Sequence, residues 1–218
     1  MSHTKKILCP IDFSKGSDAA LVYANRLAAI LDAEVHCVHV INPTLYTSVM
    51  EGVYISTGSV QATVERIEEH ARETFDKTLK RYALRHLEAL GHFIHGDPAR
   101  EIVKLADSLG VDYIVVNTHG RTGFDRFVSG STCESIVRMS HVPVITLKHQ
   151  DGEIGMDDGP LSFKRILCPL DFSEFSKKGL ETARELCRLF EATLVIAHAV
   201  DTRLEYPMLE PGLGYMDA

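Results

Sequence analysis

No two cysteines of this chain form a C-x-x-C pair: Cys9, Cys37, Cys133, Cys168 and Cys187 are scattered and odd in number, which excludes a disulfide framework and a zinc knuckle. A reducing, cytoplasmic setting is the expectation. No run approaches the roughly 18 to 20 consecutive apolar residues that span a bilayer. The opening Met-Ser-His-Thr-Lys-Lys passes straight into a short apolar stretch that is soon interrupted, which is unlike a secretory leader. Basic residues are in deficit, 23 Lys and Arg against 30 Asp and Glu for a net charge of -7, so the chain repels phosphate backbones and broad nucleic-acid binding is not expected. No glycine run is followed by Gly-Lys-Ser/Thr, which excludes a P-loop, and no G-x-S-x-G elbow is present. What is there is an ordinary globular composition, 45% hydrophobic and 24% charged over 218 residues, enough for a core and about one and a half domains of typical length.

The remainder has an explanation in a repeat. At an offset of 159, Lys5 to Ile41 aligns with Lys164 to Val200 without a gap, with 14 identities in 37 positions. Chance would give about two or three, so this is duplication. Ile7-Leu8-Cys9-Pro10-Ile11-Asp12-Phe13-Ser14 is answered by Ile166-Leu167-Cys168-Pro169-Leu170-Asp171-Phe172-Ser173, and His39 by His198. Between the copies, a polar, Gly-rich stretch carries Asp151, Gly152, Gly155, Asp157, Asp158, Gly159 and Pro160. The expected organisation is a first domain over 1–148, a linker over 149–163 and an incomplete second domain over 164–218. The offset sets Ala218 opposite Ser59, and a strand-helix-strand of this size leaves sheet edges open. Truncation, pairing with another chain or docking on the first domain is therefore expected.

Within the first domain the apolar run at 6–11 predicts a strand. Asp12-Phe13-Ser14 then leads into a helix with Ser14 as N-cap and Ala20, Ala24, Leu27, Ala28 and Leu31 at helical spacing. Glu34 to Ile41 turns β-branched and apolar, a second strand. A long amphipathic helix is expected over 59–90, with Val64, Ile67, Ala71, Phe75, Leu79, Tyr82 and Leu87 on one stripe and Gly91 closing it. A brief strand at His92 to His95 follows, then a helix capped by Asp97 and Pro98 and ended at Gly110, a strand at Tyr113 to Val116, and a last strand at Val142 to Leu147. Alternation of this kind predicts a doubly wound, open five-stranded parallel sheet with helices on both faces and right-handed crossovers, followed by a partial β-α-β repeat. Its ligand crevice would lie beyond the carboxyl ends of the strands, where strand order reverses.

Two segments would meet there: the turn after the first strand and the loop Asn117-Thr118-His119-Gly120 to Glu134. In that loop glycines and hydroxyl residues precede a helix beginning near Gly130, with Ser131 and Glu134 at capping-box spacing. A helix N-terminus flanked by glycines suits phosphate oxygens, although a solvated loop before a capped helix has the same composition.

Here the chain resembles the universal stress proteins. Nucleotide-binding members of that family carry glycine, two residues, glycine, nine residues, then glycine with serine or threonine. Gly120, nine residues and Gly130-Ser131 match, as do the opening C-P-I-D-F-S, the T-H-G-R-T-G of Thr118 to Gly123 and the H-V-I of His39 to Ile41. The resemblance covers residues 5–148, with 164 to about 201 resembling the first third of a second copy. Asn117 stands where the pattern has its first glycine. A position needing positive φ tolerates asparagine best, whereas a ligand passing over that α-carbon would be crowded.

The resemblance implies a Rossmann-like fold and an adenine-nucleotide site. Asp12, with Pro10 and Ile11, would face the nucleoside and the Val40 backbone would meet adenine. Asn117, His119, Gly120, Gly130, Ser131 and Thr132 would lie along the phosphates, and Arg121 and Arg126 could add positive charge. Mg2+ would enter through phosphate oxygens, because no Asp/Glu cluster with metal-ligand spacing accompanies the loop. The second copy repeats Asp12 as Asp171 but lacks the glycine loop. No general base or water-positioning carboxylate is evident, so the implied activity is sensing or regulation with little or no turnover, against two alternatives, a nucleotide-independent interaction module and a slow ATPase. The family also implies a homodimer through the last strand. His36, His39, His92 and His95 do not chelate in i, i+3 pairs, since such positions on a strand face opposite sides.

Overall fold

The computed structural model describes residues 4–42, 57–82, 90–118, 131–147 and 161–200. The chain divides into two units, Met1–Pro160 and Leu161–Ala218. In the first, β1 (Lys5–Pro10), α1 (Lys15–Leu31), β2 (Ala33–Ile41), α2 (Thr57–Tyr82), β3 (Leu90–His95), α3 (Pro98–Leu109), β4 (Tyr113–Asn117), α4 (Ser131–Met139) and β5 (Val144–Leu147) follow in order. In the second, β6 (Arg165–Pro169), α5 (Glu174–Phe190) and β7 (Thr193–Ala197) form a β-α-β unit.

The five strands of the first unit are all parallel and lie in the order β3-β2-β1-β4-β5. Helix α1 packs on β1, β2 and β4, with α2 beside it on β2 and β3; α3 packs on β2 and against α4, which reaches β5. With right-handed crossovers, an order that reverses between β1 and β4 puts α1 and α2 on one face and α3 and α4 on the other. Alternation along each strand then divides the side chains. Leu8, Val38, Ile114 and Val116 join Ile102, Val103, Ala106 and Ile136 in the core under α3 and α4. Ile7, Cys9, Val35 and Cys37 are fully buried on the opposite side. Complete burial of an aliphatic side chain is worth about 1.5 to 3 kcal/mol, so these two apolar layers hold the strand ends in place.

Helix starts follow the sequence signals. The Ser17 N–H donates to Ser14 Oγ at 3.1 Å, and the Arg100 N–H to Asp97 Oδ1 at 3.0 Å with Pro98 in the first turn. Gly110, at φ 62, closes α3 with its N–H on the Ala106 and Asp107 carbonyls.

Two boundaries differ from expectation. Gly91 does not end a helix but lies inside β3, where a Cβ would come within 2.8 Å of Leu79 Cδ1 and 2.9 Å of Phe75 Cε1; the glycine lets α2 approach the strand. The part of the expected helix beyond Tyr82, with Leu87, falls at 83–89, outside the described residues. The last strand begins at Val144 and not at Val142, because Val142 is tied into a turn by Ser140, whose Oγ accepts its N–H at 3.2 Å and donates to its carbonyl at 2.8 Å, and Pro143 has no N–H to pair. Helix α4 begins at Ser131, and the Glu134 carboxylate accepts from Arg138 at 2.7 Å; the expected capping box rests on the Ser131 side chain, which lies outside the described residues.

The second unit repeats the first in detail. Ser173 caps α5 through the Ser176 N–H at 3.1 Å, as Ser14 caps α1. Asp32 and Glu191, at φ 52 and 51, close the two helices in the left-handed region. Leu167, however, is 66% exposed where its counterpart Leu8 is fully buried.

Candidate functional site

The carboxyl end of β1 is shaped by four residues. Ile11 donates its N–H to the Val38 carbonyl at 2.8 Å, the last backbone bond between the β1 and β2 segments among the described residues. Phe13 then takes φ 63, a conformation costly for a bulky residue, and its ring stacks on His39 with centroids 4.3 Å apart. This turn lifts Asp12 off the end of the strand. Its Oδ1 accepts the Ser14 N–H at 3.0 Å and the Ser14 hydroxyl at 2.6 Å, so the residue that caps α1 also fixes the carboxylate. In the second unit the same turn recurs, with Phe172 at φ 65 and the Ser173 N–H on Asp171 Oδ1 at 2.9 Å. Hydrogen bonds from Ser173 and Ser176 hold the Asp171 carboxyl below the usual carboxylate range.

At the neighbouring strand ends, Val40 is half-buried on β2, and Asn117 is buried at the end of β4, in register with Leu147. Asn117 has extended strand backbone and is not among the positive-φ residues, so tolerance of the left-handed region is not what this position asks of an asparagine. Thr118 donates its N–H and its hydroxyl to the Leu147 carbonyl at 2.9 and 3.1 Å, binding the start of the loop to the sheet edge. His119, Gly120, Arg121, Arg126 and Gly130 lie outside the described residues, as does the Ser131 side chain. Pro10, Ile11, Asp12, Val40 and Asn117 thus sit together at the carboxyl edge beside the reversal of strand order. Thr132 is exposed on the first turn of α4 and lines a groove of about 410 Å3 with Arg100, Ser135 and Arg138 at the start of α3 and along α4.

The histidines separate by face, as strand alternation requires. His36 on β2 and His92 on β3 share a hydrogen bond, Nδ1 to Nε2, at 3.0 Å, and Glu34 lies 3.5 Å from the other His36 nitrogen. Burial lowers the pKa of both; Glu34 opposes the shift at His36, and His36 adds to it at His92. His95 instead meets Glu68 at 2.9 Å. Among the described residues no three His, Cys, Asp or Glu side chains gather as a metal site. Cys9 and Cys37 oppose each other in the β1–β2 register as free thiols; burial pushes Cys37 up to about 12 and, with Cys37 beside it, also holds Cys9 well above the ordinary thiol value, which disfavours the reactive thiolate in both.

The repeat and the family motif both single out His39, but its position at the β1 turn, with Nδ1 2.7 Å from the Ile11 carbonyl oxygen, follows from cross-strand packing that spacing does not reveal. The available signal was its identity with His198, whose Nδ1 lies 2.6 Å from the Leu170 carbonyl oxygen.

A doubly wound parallel sheet whose order reverses beside the β1 end defines a broad class of α/β proteins that bind ligands at the carboxyl edge. Comparison narrows it. The model of the universal stress protein family matches residues 3–148 and again 162–217. Universal stress protein MJ0531 of Methanocaldococcus jannaschii is 31% identical over 144 residues, 66% of this chain and 82% of that protein. The solved structure of MJ0577, from the same organism, superposes with a TM-score of 0.58 at 28% identity, over 68% of this chain and 98% of its own. A universal stress protein from Archaeoglobus fulgidus shares the fold over 88% of this chain and 65% of its own, with a TM-score of 0.61 at 24% identity. The chain belongs to the universal stress protein family. No described helix is long and apolar enough to cross a membrane.

Proposed function

We propose that this chain binds ATP or a related adenine nucleotide at the carboxyl edge of its first unit and acts as a stress-linked sensor or regulator with little or no turnover. The observation that carries this reading is the meeting of the β1 and β4 ends at the reversal of strand order, with Asp12 held by Ser14 on one side and α4 beginning directly after the glycine segment on the other. Asp12 would take the ribose hydroxyls, the Val40 backbone the base, and the segment from Asn117 through His119, Gly120 and Arg121 to Gly130, Ser131 and Thr132 the phosphates, with Mg2+ entering on phosphate oxygens. Nucleotide released from gently purified protein and identified by mass spectrometry, followed by calorimetric titration with ATP, AMP and GTP with and without Mg2+, tests it. Adenine-selective binding lost in Gly130→Val is expected; no nucleotide and no heat would turn the reading to an interaction module independent of nucleotide. Buried Asn117, in place of the family's first glycine, is what favours that second reading.

Self-association through β5 belongs to the same proposal. This strand ends the sheet order, and an apolar edge strand pairs readily with its equivalent across a two-fold axis. A dimer mass in light scattering is expected, and a strictly monomeric one overturns it.

A further inference from the structure

A β1–β2 ladder that ran on would have a next rung. In a parallel pair, the N–H and C=O of one residue point to the same neighbour, and successive residues alternate. The Val38 carbonyl accepts from Ile11 on the β1 side, and the Ile41 carbonyl accepts the Gly96 N–H at 2.9 Å on the β3 side. Val40, two residues beyond Val38, therefore directs its N–H and C=O back toward β1. The partner for its N–H would be the Ile11 carbonyl, but among the described residues that backbone bond is not made. The His39 imidazole takes the carbonyl instead, at 2.7 Å. A carbonyl only accepts, so Nδ1 carries the proton and the tautomer is fixed. Phe13 stacks on the ring at 4.3 Å, and Phe93 lies against it at 5.5 Å, which holds the imidazole in this orientation.

We infer that His39 is a positioning residue for base recognition: by putting Nδ1–H on the Ile11 carbonyl it ends the β1–β2 ladder one rung early. The Val40 N–H and C=O are left facing the crevice to read a planar heterocycle with a donor beside an acceptor, as the N6 and N1 edge of adenine offers. The inference rests on the nucleotide reading above and names what makes its base edge available. The device is built by the local sequence, since the second unit repeats it: the Leu170 N–H donates to the Ala197 carbonyl at 2.8 Å, His198 Nδ1 lies 2.6 Å from the Leu170 carbonyl oxygen, and Phe172 packs on the His198 ring.

Two variants of the full chain separate this role from a structural one. His39→Phe keeps the stacked ring and removes the donor, so the Ile11 carbonyl is released to the Val40 N–H. His39→Asn places an amide N–H where Nδ1–H stood. Val40 amide exchange is followed by NMR without and with ATP, and ATP affinity by calorimetry. In the unaltered chain the Val40 amide exchanges readily until ATP protects it. In His39→Phe it is protected without ATP and affinity falls by about tenfold or more, the worth of one or two lost hydrogen bonds. His39→Asn retains both properties of the unaltered chain. Affinity in His39→Phe equal to that of the unaltered chain, or Val40 exchange unchanged by the substitution, overturns the inference while leaving the nucleotide reading intact. An unaltered chain that binds no ATP overturns the nucleotide reading, and the inference falls with it.

Discussion

Ser14 performs two tasks with one hydroxyl, accepting from the Ser17 N–H and donating to Asp12. Ser14→Ala should therefore cost about 1 kcal/mol in urea unfolding, the usual worth of an N-cap, and also weaken ATP binding because Asp12 is released. Ser173→Ala removes the matching cap in the second unit and should leave ATP affinity unchanged. The His36–His92 pair gives a pH dependence whose sign is set by burial. Both imidazoles have folded-state pKa values below their ordinary one near 6.5, so the unfolded chain binds protons first as the solution is acidified. Their contribution is complete above about pH 6.5 and is lost as pH falls from there through the folded-state values, with Glu34 opposing the shift at His36 and Lys6 adding to it. Urea midpoints at pH 7.5, 6.5 and 5.5 should decline, and the decline should shrink in His36→Leu/His92→Leu. A steeper decline in that double variant would sink the assignment. At this scale the sequence was informative wherever a residue acts on its near neighbours, as Ser14 and Asp97 do. Across strands it went no further than neighbourhood: His36 and His92, 56 residues apart, are expected on adjacent strands, but their hydrogen bond depends on a register that periodicity does not give.

The elements themselves were readable because apolar period distinguishes helix from strand, and alternation of the two implies parallel pairing. Their ends were not. Gly91 was read as punctuation when it is a contact: the strand passes so close to Phe75 and Leu79 that only a residue without a Cβ fits without displacement. Gly91→Val should destabilise the first unit by about 1 to 3 kcal/mol by overpacking, and Leu79→Ala in the same chain should recover part of that loss. Equal urea midpoints for Gly91→Val and the unaltered chain would show that α2 yields freely. The start of β5 was misplaced for a similar reason, since β-branched composition does not reveal that Ser140 holds Val142 in a turn. The proposed phosphate-side residues rest on the family pattern alone, whereas the position of Asp12 at the end of β1 also follows from the strand-to-helix transition after it.

At the scale of the whole molecule, the repeat tells what each copy was shaped to touch. The second copy keeps the turn, the cap and the histidine of the first, and these are the parts that fold on contacts within 40 residues. It also keeps Leu167, although nothing among the described residues encloses it as α3 and α4 enclose Leu8. Ile196 and Phe172 are likewise more than half exposed, and among the described residues β6 pairs only with β7. Such a strand is expected to set the colloidal limit of the chain, because open backbone beside apolar side chains invites addition of further molecules as concentration rises. Leu167→Lys should raise the concentration at which turbidity appears on warming, with ATP affinity unaltered, and an unchanged turbidity threshold would place the weak point elsewhere. Nucleotide occupancy and shelf life would then be governed by separate units of one polypeptide, so that a preparation can lose solubility while its binding-competent fraction is still correctly folded.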